Sequence, residues 1–397
     1  MLSAAAAVAT EPPRDEGQDE SAALSVRIGD VRDLPLDWRR PWDRLAEDCA
    51  EPNVFAERWF VEAGIRHLLP DGPIRILGVW RGESALIGLL PVRIERRYGR
   101  TPAAHVQNWA HHQSFLGTPL IRRGEEAAFW MEILQALDAA PWARGFFHMT
   151  GLVEDGPVHR GLAEAAAALG RPCPIVHRSR RALLDSRLSP QAYYEQAVRK
   201  KKRKELARLS ARLRELGTVS VSRAGSAEEA ARCCDEFLGL EAGGWKGRAG
   251  SALASHPAKQ AFFRDAVAGA QAAGRLEFLR LSLDGRPIAM LVNFLAPPGG
   301  FTFKIAFDEE YARFSPGVLV QIENLKVLER ADIAWTDSCA VENHPMINSL
   351  WAERRSIVRV TVPLAGRRRR ALYAGARALE TGSALLRRLI TPRESEK

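Results

Sequence analysis
The chain has 397 residues, 46% of them apolar, and a formal net charge of +9. That length and composition allow a sizeable core in about two domains. No run approaches the roughly 18 apolar residues that cross a bilayer, and the five cysteines (Cys49, Cys173, Cys233, Cys234, Cys339) form no C-x-x-C pair, which argues against a disulfide framework and for a reducing, cytoplasmic setting.

Residues 1–23 open on an alanine run, turn acidic almost at once, and read as a disordered tail. A first unit is expected over 24–185. Its clearest signal is IRILGVWRGESALIGLLPVRIE (74–95), two β-rich runs around Arg81-Gly82-Glu83. A short strand near His105–Trp109 follows, then the interrupted stretch HHQSFLGTPL, a helix at 124–138, a strand at RGFFHMT and a helix after Gly156-Pro157. A second unit, 186–365, opens with SPQAYYEQAVRKKKRKELARLSARLRELG. Ser189 can cap, Pro190 suits the first turn, Leu206, Leu209, Leu213 and Leu216 recur at three and four, and Gly217 ends the pattern. The spacing predicts one long basic helix over 190–216.

The positive charge is local. Residues 199–214 carry nine basic groups against Glu205, and 367–370 are four arginines, so the remainder is slightly acidic. Both a solvated helix face and a surface for a polyanion fit the first segment. The basic tail 366–397 fits either a solvated terminal helix or docking on an anionic membrane surface.

Next comes GLEAGGWKGRAGSAL (239–253), whose glycines beside Trp245, Lys246 and Arg248 read as a loop able to close over a substrate. RLEFLRLSLDGRPIAMLVNFLAP (275–297) is a hairpin turned at Asp284-Gly285, and the elements after it repeat the order seen after 74–95: a strand FTFKIAF, a helix to about 331, a strand IAWTDSC, a helix after Asn343-His344-Pro345, and a last strand SIVRVTVPL. Two copies of one unit about 200 residues apart point to a tandem duplication.

The second copy holds the candidate site. In 301–307 strict alternation puts Phe301, Phe303, Ile305 and Phe307 on one face and Lys304 with Thr302 and Ala306 on the other, away from the aromatic core. At the strand's end Asp308 either pairs with Lys304 or acts with it in catalysis. Ser315 is a candidate cap, Pro316 needs no N–H there, and Gly317 would let a ligand approach the backbone, so the amides of Gly317, Val318 and Leu319 could cradle an anion. The cluster TDSCAVENHP (336–345) adds Asp337, Ser338, Glu342 and His344 after the next strand. The nine histidines show no ligand spacing, and no metal site is read.

The run LEAGGWKGRAGSAL, then FFRD, GRLE, LDGRPIA, FKIAFDEEYARFSPGVL and LWAERR resembles the CelD-like acetyltransferases of the GNAT superfamily, related to the Fem peptidyltransferases. The resemblance spans most of 190–360. It implies an α+β tandem GNAT fold of two similar domains, each a mixed central sheet flanked by helices, the first degenerate. It also implies acyl-CoA as co-substrate, its pyrophosphate on Ser315–Leu319, and acyl transfer to an amine or hydroxyl of a small molecule, sugar or polysaccharide precursor without an acyl-enzyme. Within that scheme Asp308 is the first choice for general base, Asp337 and His344 follow, and Lys304, Trp245, Lys246 and Arg248 orient the acceptor. Ser-Pro-Gly stands where the common pattern has Gln/Arg-x-x-Gly-x-Gly/Ala, which leaves an aminoacyl-tRNA donor, as in Fem-like relatives, as an alternative; the basic tail adds another, an inactive scaffold of polysaccharide synthesis.

Overall fold
A computed structural model describes residues 22–390, so nearly all of the expected disordered tail lies outside the described residues. The first half runs β1 (Leu24–Asp30), α1 (Arg39–Glu47), α2 (Arg58–His67), β2 (Ile74–Arg81), β3 (Ala85–Glu95), β4 (His105–Asn108), α3 (Glu126–Ala139), β5 (Phe146–Val153), α4 (Pro157–Ala168) and β6 (Ile175–Leu184). After α5 (Pro190–Ala197) and α6 (Lys200–Arg214), the second half runs β7 (Val219–Arg223), α7 (Ala227–Gly243), α8 (Trp245–Arg248), α9 (Pro257–Ala272), β8 (Leu276–Leu283), β9 (Arg286–Ala296), β10 (Gly299–Phe307), α10 (Pro316–Asn324), β11 (Trp335–Asp337), α11 (Pro345–Asn348) and β12 (Glu353–Pro363). The last helix is α12 (Arg367–Ile390).

All twelve strands form one sheet in the order β1-β2-β3-β4-β5-β12-β6-β11-β10-β9-β8-β7. Read inward from either edge, the two halves give the same succession of strands, which is the duplication expected from the hairpins. The halves are also interlocked. β12 lies between β5 and β6, antiparallel to both, and β6 lies between β12 and β11. The expected units 24–185 and 186–365 therefore share their central strands.

Helices α3 and α4 cover one face of the first half over Phe147, Met149 and Val358, and α5, α10 and α11 cover the same face of the second over Ala182, Leu184 and Leu295. On the opposite face α2, α7 and α9 enclose an aromatic core drawn from both halves, with Phe55, Phe60, Phe262, Phe294, Phe301 and Phe303. Burying side chains of this size stabilises the fold by about 1.5–3 kcal/mol each before entropy is counted.

Two expected elements differ. The basic helix breaks at Val198 and Arg199, both extended, because Val198 is buried in the core under α5 and turns the chain there. The segment 239–253 is not loop throughout: α7 continues through Gly239 to Gly243, since its opposite stripe (Ala230, Cys234, Phe237, Glu241) is buried and tertiary packing outweighs glycine's poor helix propensity. The first part of α12 is packed along one side only, with Arg367, Arg368 and Arg370 exposed on the other. Tyr373 and Ala376 pack on Tyr98 and Phe146, while Arg369 donates to the carbonyls of Asp138, Ala140 and Ala143 at 2.9, 3.1 and 3.0 Å. Among the described residues no helix is long and apolar enough to cross a membrane, and all five cysteines are free.

Candidate active site
β10 and β11 run parallel only from Gly299–Trp335 to Phe301–Asp337. Beyond that point Ser338 donates its N–H to Ala182 of β6, at 3.1 Å, so β11 follows the centre of the sheet while β10 continues to Phe307 paired only with β9. A gap opens between them, with the start of α10 on one face and the aromatic core on the other.

Lys304 stands on the open stretch of β10. The register of β10 against β9 slips at Phe303, a β-bulge that adds one residue and reverses the alternation after it. Lys304 consequently pairs with Val292 and shares the aromatic-core face with Phe301 and Phe303, while Ile305 and Phe307 turn to α10. This corrects the side expected from strict alternation. Its ammonium lies 5.3 Å from the Phe303 ring and 5.8 Å from that of Phe115, a residue of the first half. Among the described residues it makes no hydrogen bond or ion pair. Burial lowers its pKa to about 8, with buried Glu241 opposing and Lys246 and Lys259 adding to the fall. A nearby imidazole, His112, is lowered as well, by burial first and then by Lys259, Lys304 and His256.

Glu241 fixes the cover of this pocket. It accepts from Lys246 Nζ at 2.9 Å and from the Leu253 N–H at 2.7 Å, so both ends of the α8 turn hang on one buried carboxylate. Glu309 holds the other side, accepting from the Trp245 N–H and from Arg248, each at 2.5 Å. Trp245 itself is 56% exposed. In this conformation the turn lies on Ile305–Glu309 over a cavity of about 30 Å³. The three residues expected to cover a substrate are thus brought to the strand that carries Lys304.

The carboxylates expected there are engaged elsewhere. Asp308 does not pair with Lys304. It caps the 3-10 turn 309–314 by accepting from the Glu310 N–H at 3.1 Å and bonds Arg286 at 2.7 Å. Asp337 is fully buried between two arginines, Arg181 at 2.7 Å and Arg355 at 3.2 Å, and accepts the Cys339 N–H at 2.9 Å. Burial pushes its pKa up, but the two guanidiniums outweigh this and hold the carboxyl below its ordinary range. A carboxylate so held, with β6, β11 and β12 tied to it, is a poor proton acceptor. His344 caps the four-residue α11 through Ile347 N–H, at 3.5 Å.

At the start of α10 the reading changes in detail. Ser315 has φ 54° and makes no side-chain cap; its carbonyl instead accepts from Val318 at 2.9 Å and Leu319 at 3.1 Å. Of the three amides expected to form a cradle, those of Val318 and Leu319 are therefore used by the helix, and that of Gly317 is left. Gly317 is buried, and a Cβ there would stand 3.3 Å from the Phe307 ring, so its small size serves the packing of helix on strand. Sequence reasoning missed Phe115 and His112, because nothing local joins a loop of the first half to a strand nearly 200 residues later, and it missed His256 and Lys259 at the start of α9, which no motif links to β10.

The first half has the corresponding gap, and its own chain fills it. β4 and β5 pair only at Val106–Phe147 and Gln107–His148. Past them the Asn108 side chain accepts from the Thr150 N–H at 2.9 Å, Gly117 donates to Gly151 at 2.9 Å, and Asn53 donates to Thr118 at 2.6 Å.

Residues 200–342 match the model of the acetyltransferase (GNAT) domain family. Among solved structures the chain is similar to FemX, with a TM-score of 0.54 at 10% identity over 81% of this chain and 96% of that one. It is also similar to a conserved protein of unknown function from Bacteroides thetaiotaomicron, with a TM-score of 0.51 at 11% identity, covering 85% and 100% of the two chains. A tandem GNAT protein from the clavulanic acid biosynthesis pathway aligns at a TM-score of 0.42 and 18% identity, over 85% and 98%. No curated protein sequence matches the chain. The chain has a GNAT fold of mixed α and β content, and its match to the acetyltransferase (GNAT) domain family falls on the half with the open parallel gap.

Proposed function
We propose that the protein transfers an acyl group from an acyl-CoA, held in the gap between β10 and β11, to an amine or hydroxyl presented on the aromatic-core face. The observation that carries this reading is the pairing of an open gap with Lys304: the same gap in the other half is filled, and no lysine stands in it. The donor's head group would lie at Ser315–Gly317, where the positive end of α10 favours an anion. Its acyl end would pass through the gap to Lys304, beneath the turn carrying Trp245, Lys246 and Arg248.

Lys304 is the general base of this proposal, in place of Asp308, Asp337 and His344. An amine with a pKa of about 8 and no carboxylate in contact is poised to take a proton near neutral pH. The acceptor's nucleophile attacks the thioester carbonyl, its proton passes to Nζ, the C–S bond breaks, and CoA leaves as the thiolate. Lys304→Met is expected to lower kcat by roughly 10²–10⁴ while CoA binding stays within a few-fold. Lys304→Arg should not rescue it, because a guanidinium does not give up its proton. In the parent, kcat/KM should rise with pH through about 8. Activity in the arginine variant would replace the base with a purely electrostatic role. For the donor, calorimetric titration with acetyl-CoA is compared with Ser315→Asp, which puts a negative charge at the helix start without entering the core. No CoA binding by the parent would sink the donor assignment.

A second reading has an observation of its own. α6 packs beside the 309–314 turn, with Leu213 and Phe314 in one cluster, and its exposed Lys200, Lys201, Lys204, Arg208 and Arg212 make no ion pair among the described residues. A cationic face next to the donor gap suits a donor carried on RNA. That reading predicts RNA binding whose log Kd varies steeply with log salt, by about 0.7 per neutralised phosphate for a single strand. The acceptor class expected from the resemblance to CelD-like proteins, a saccharide or polysaccharide precursor, stays within the first reading.

A further inference from the structure
At the centre of the sheet, on the aromatic-core face, a cleft of about 380 Å³ lies between the loop 110–117, the end of β5, the turn 340–342 and the two interlocked strands. Across the two strands Arg181 stands opposite Arg355, Ser179 opposite Ile357 and His177 opposite Arg359, and all of these but Arg355 line the cleft. A guanidinium held on a sheet calls for an anion beside it. For the first pair that anion is Asp337. The third pair is open to the cleft: Arg359 and His177 are exposed, and Arg359 makes no hydrogen bond or ion pair among the described residues. The one acidic residue of the lining is Glu342, on the opposite wall.

The cleft adjoins the lysine. Phe115 lines it, has its carbonyl fixed by Arg181 at 2.6 Å, and presents its ring to Lys304. A ligand in the cleft thus has one end at Arg359 and the other toward the site of transfer.

We propose that this cleft seats a carboxylate of the acceptor, bound by the Arg359 guanidinium with His177 beside it. The guanidinium fork matches a carboxylate in a two-point contact, and Glu342 disfavours a doubly charged group. The word acceptor rests on the acyltransfer reading; the carboxylate site stands on the cleft alone.

The test uses full-length protein and two probes differing only in charge, 4-aminobutyrate and its amide, followed by the His177 ring resonance and by calorimetry. The carboxylate should bind about tenfold or more tightly than the amide, and Arg359→Gln should remove about that factor. Ser179→Glu, which puts a negative charge on the floor, should abolish binding. Arg180→Gln, one residue away on the opposite face, should leave it unchanged. In acyl transfer to the same amines, Arg359→Gln should raise KM for the carboxylate with little effect on kcat. Equal binding of the two probes, or unchanged binding in Arg359→Gln, overturns the cleft assignment even if acyl transfer is found. Carboxylate binding that Arg359→Gln removes, in a protein that acylates no amine, keeps the cleft and defeats the acyltransfer reading.

Discussion

The two halves of the chain have the same succession of elements and opposite fates at the same place. In the first, residues 109–125 connect β4 to α3 and fold back into the gap, satisfying it with Asn108, Gly117 and Gly151. In the second, residues 308–315 connect β10 to α10, wind into a 3-10 turn outside the gap and leave it open. The difference teaches that one copy has become a wall for the other: the loop that closes the first gap is the loop that brings Phe115 to Lys304.

The largest expected effect asks whether the halves are separable at all. Asp337→Asn leaves two buried arginines short of charge and should cost about 3–5 kcal/mol. Because Arg181, Asp337 and Arg355 sit on strands from both halves, urea unfolding followed by far-ultraviolet circular dichroism and by tryptophan fluorescence should shift as one transition. Two separated transitions would mean that the shared strands do not couple the halves.

The next asks whether the open gap carries a stability penalty that the filled one lacks. Lys304 has a folded pKa of about 8 against 10.5 unfolded, so between those values the unfolded chain binds more protons and stability rises with pH. Lys304→Met should stabilise the protein below pH 8, by on the order of 3 kcal/mol before discounting for residual hydration, and the gain should fade above about pH 10. A gain that does not change with pH would place the effect in packing.

A third tests the plug. A Cβ on Gly117 would lie 2.0 Å from the Thr150 carbonyl oxygen, so Gly117→Ala should cost about 1–3 kcal/mol as the loop moves outward. If the loop is the wall described above, the same substitution should also weaken acyl transfer at Lys304, although it lies in the other half. Smallest for the fold, Arg208→Gln with Arg212→Gln on exposed α6 should change stability by less than about 0.5 kcal/mol. In the RNA-carried reading it should lower the salt slope of RNA binding by about 1.4.

What could be read in the sequence was whatever its local chemistry fixes. Asp284 and Gly285 take φ 48° and 80°, the turn their dipeptide implied, and Ser189 caps α5 through the Ala192 N–H at 3.3 Å. The repeat of elements was legible for the same reason. The bulge at Phe303 was not, because no glycine marks it and aromatic residues alternate convincingly on either side. Nor were the partners of Asp337, since Arg181 and Arg355 reach it from two other strands, one of them 156 residues away. Candidate bases chosen for lying at strand ends were thus claimed by caps and ion pairs, while the lysine chosen for being out of place on a strand stayed unpaired.

The interlocked centre of the sheet has a consequence for how the protein is made. β5 and β6 leave the ribosome early and flank a slot that residues 353–363 fill, so the first half waits with one edge of β5 and both edges of β6 unpaired until the second half has been synthesised. Folding is bound to pairings between segments distant in sequence, which is slow and exposes those edges meanwhile. A nascent chain stalled before β12 should therefore be held by chaperones, whereas one released just after it should close the sheet in a single step.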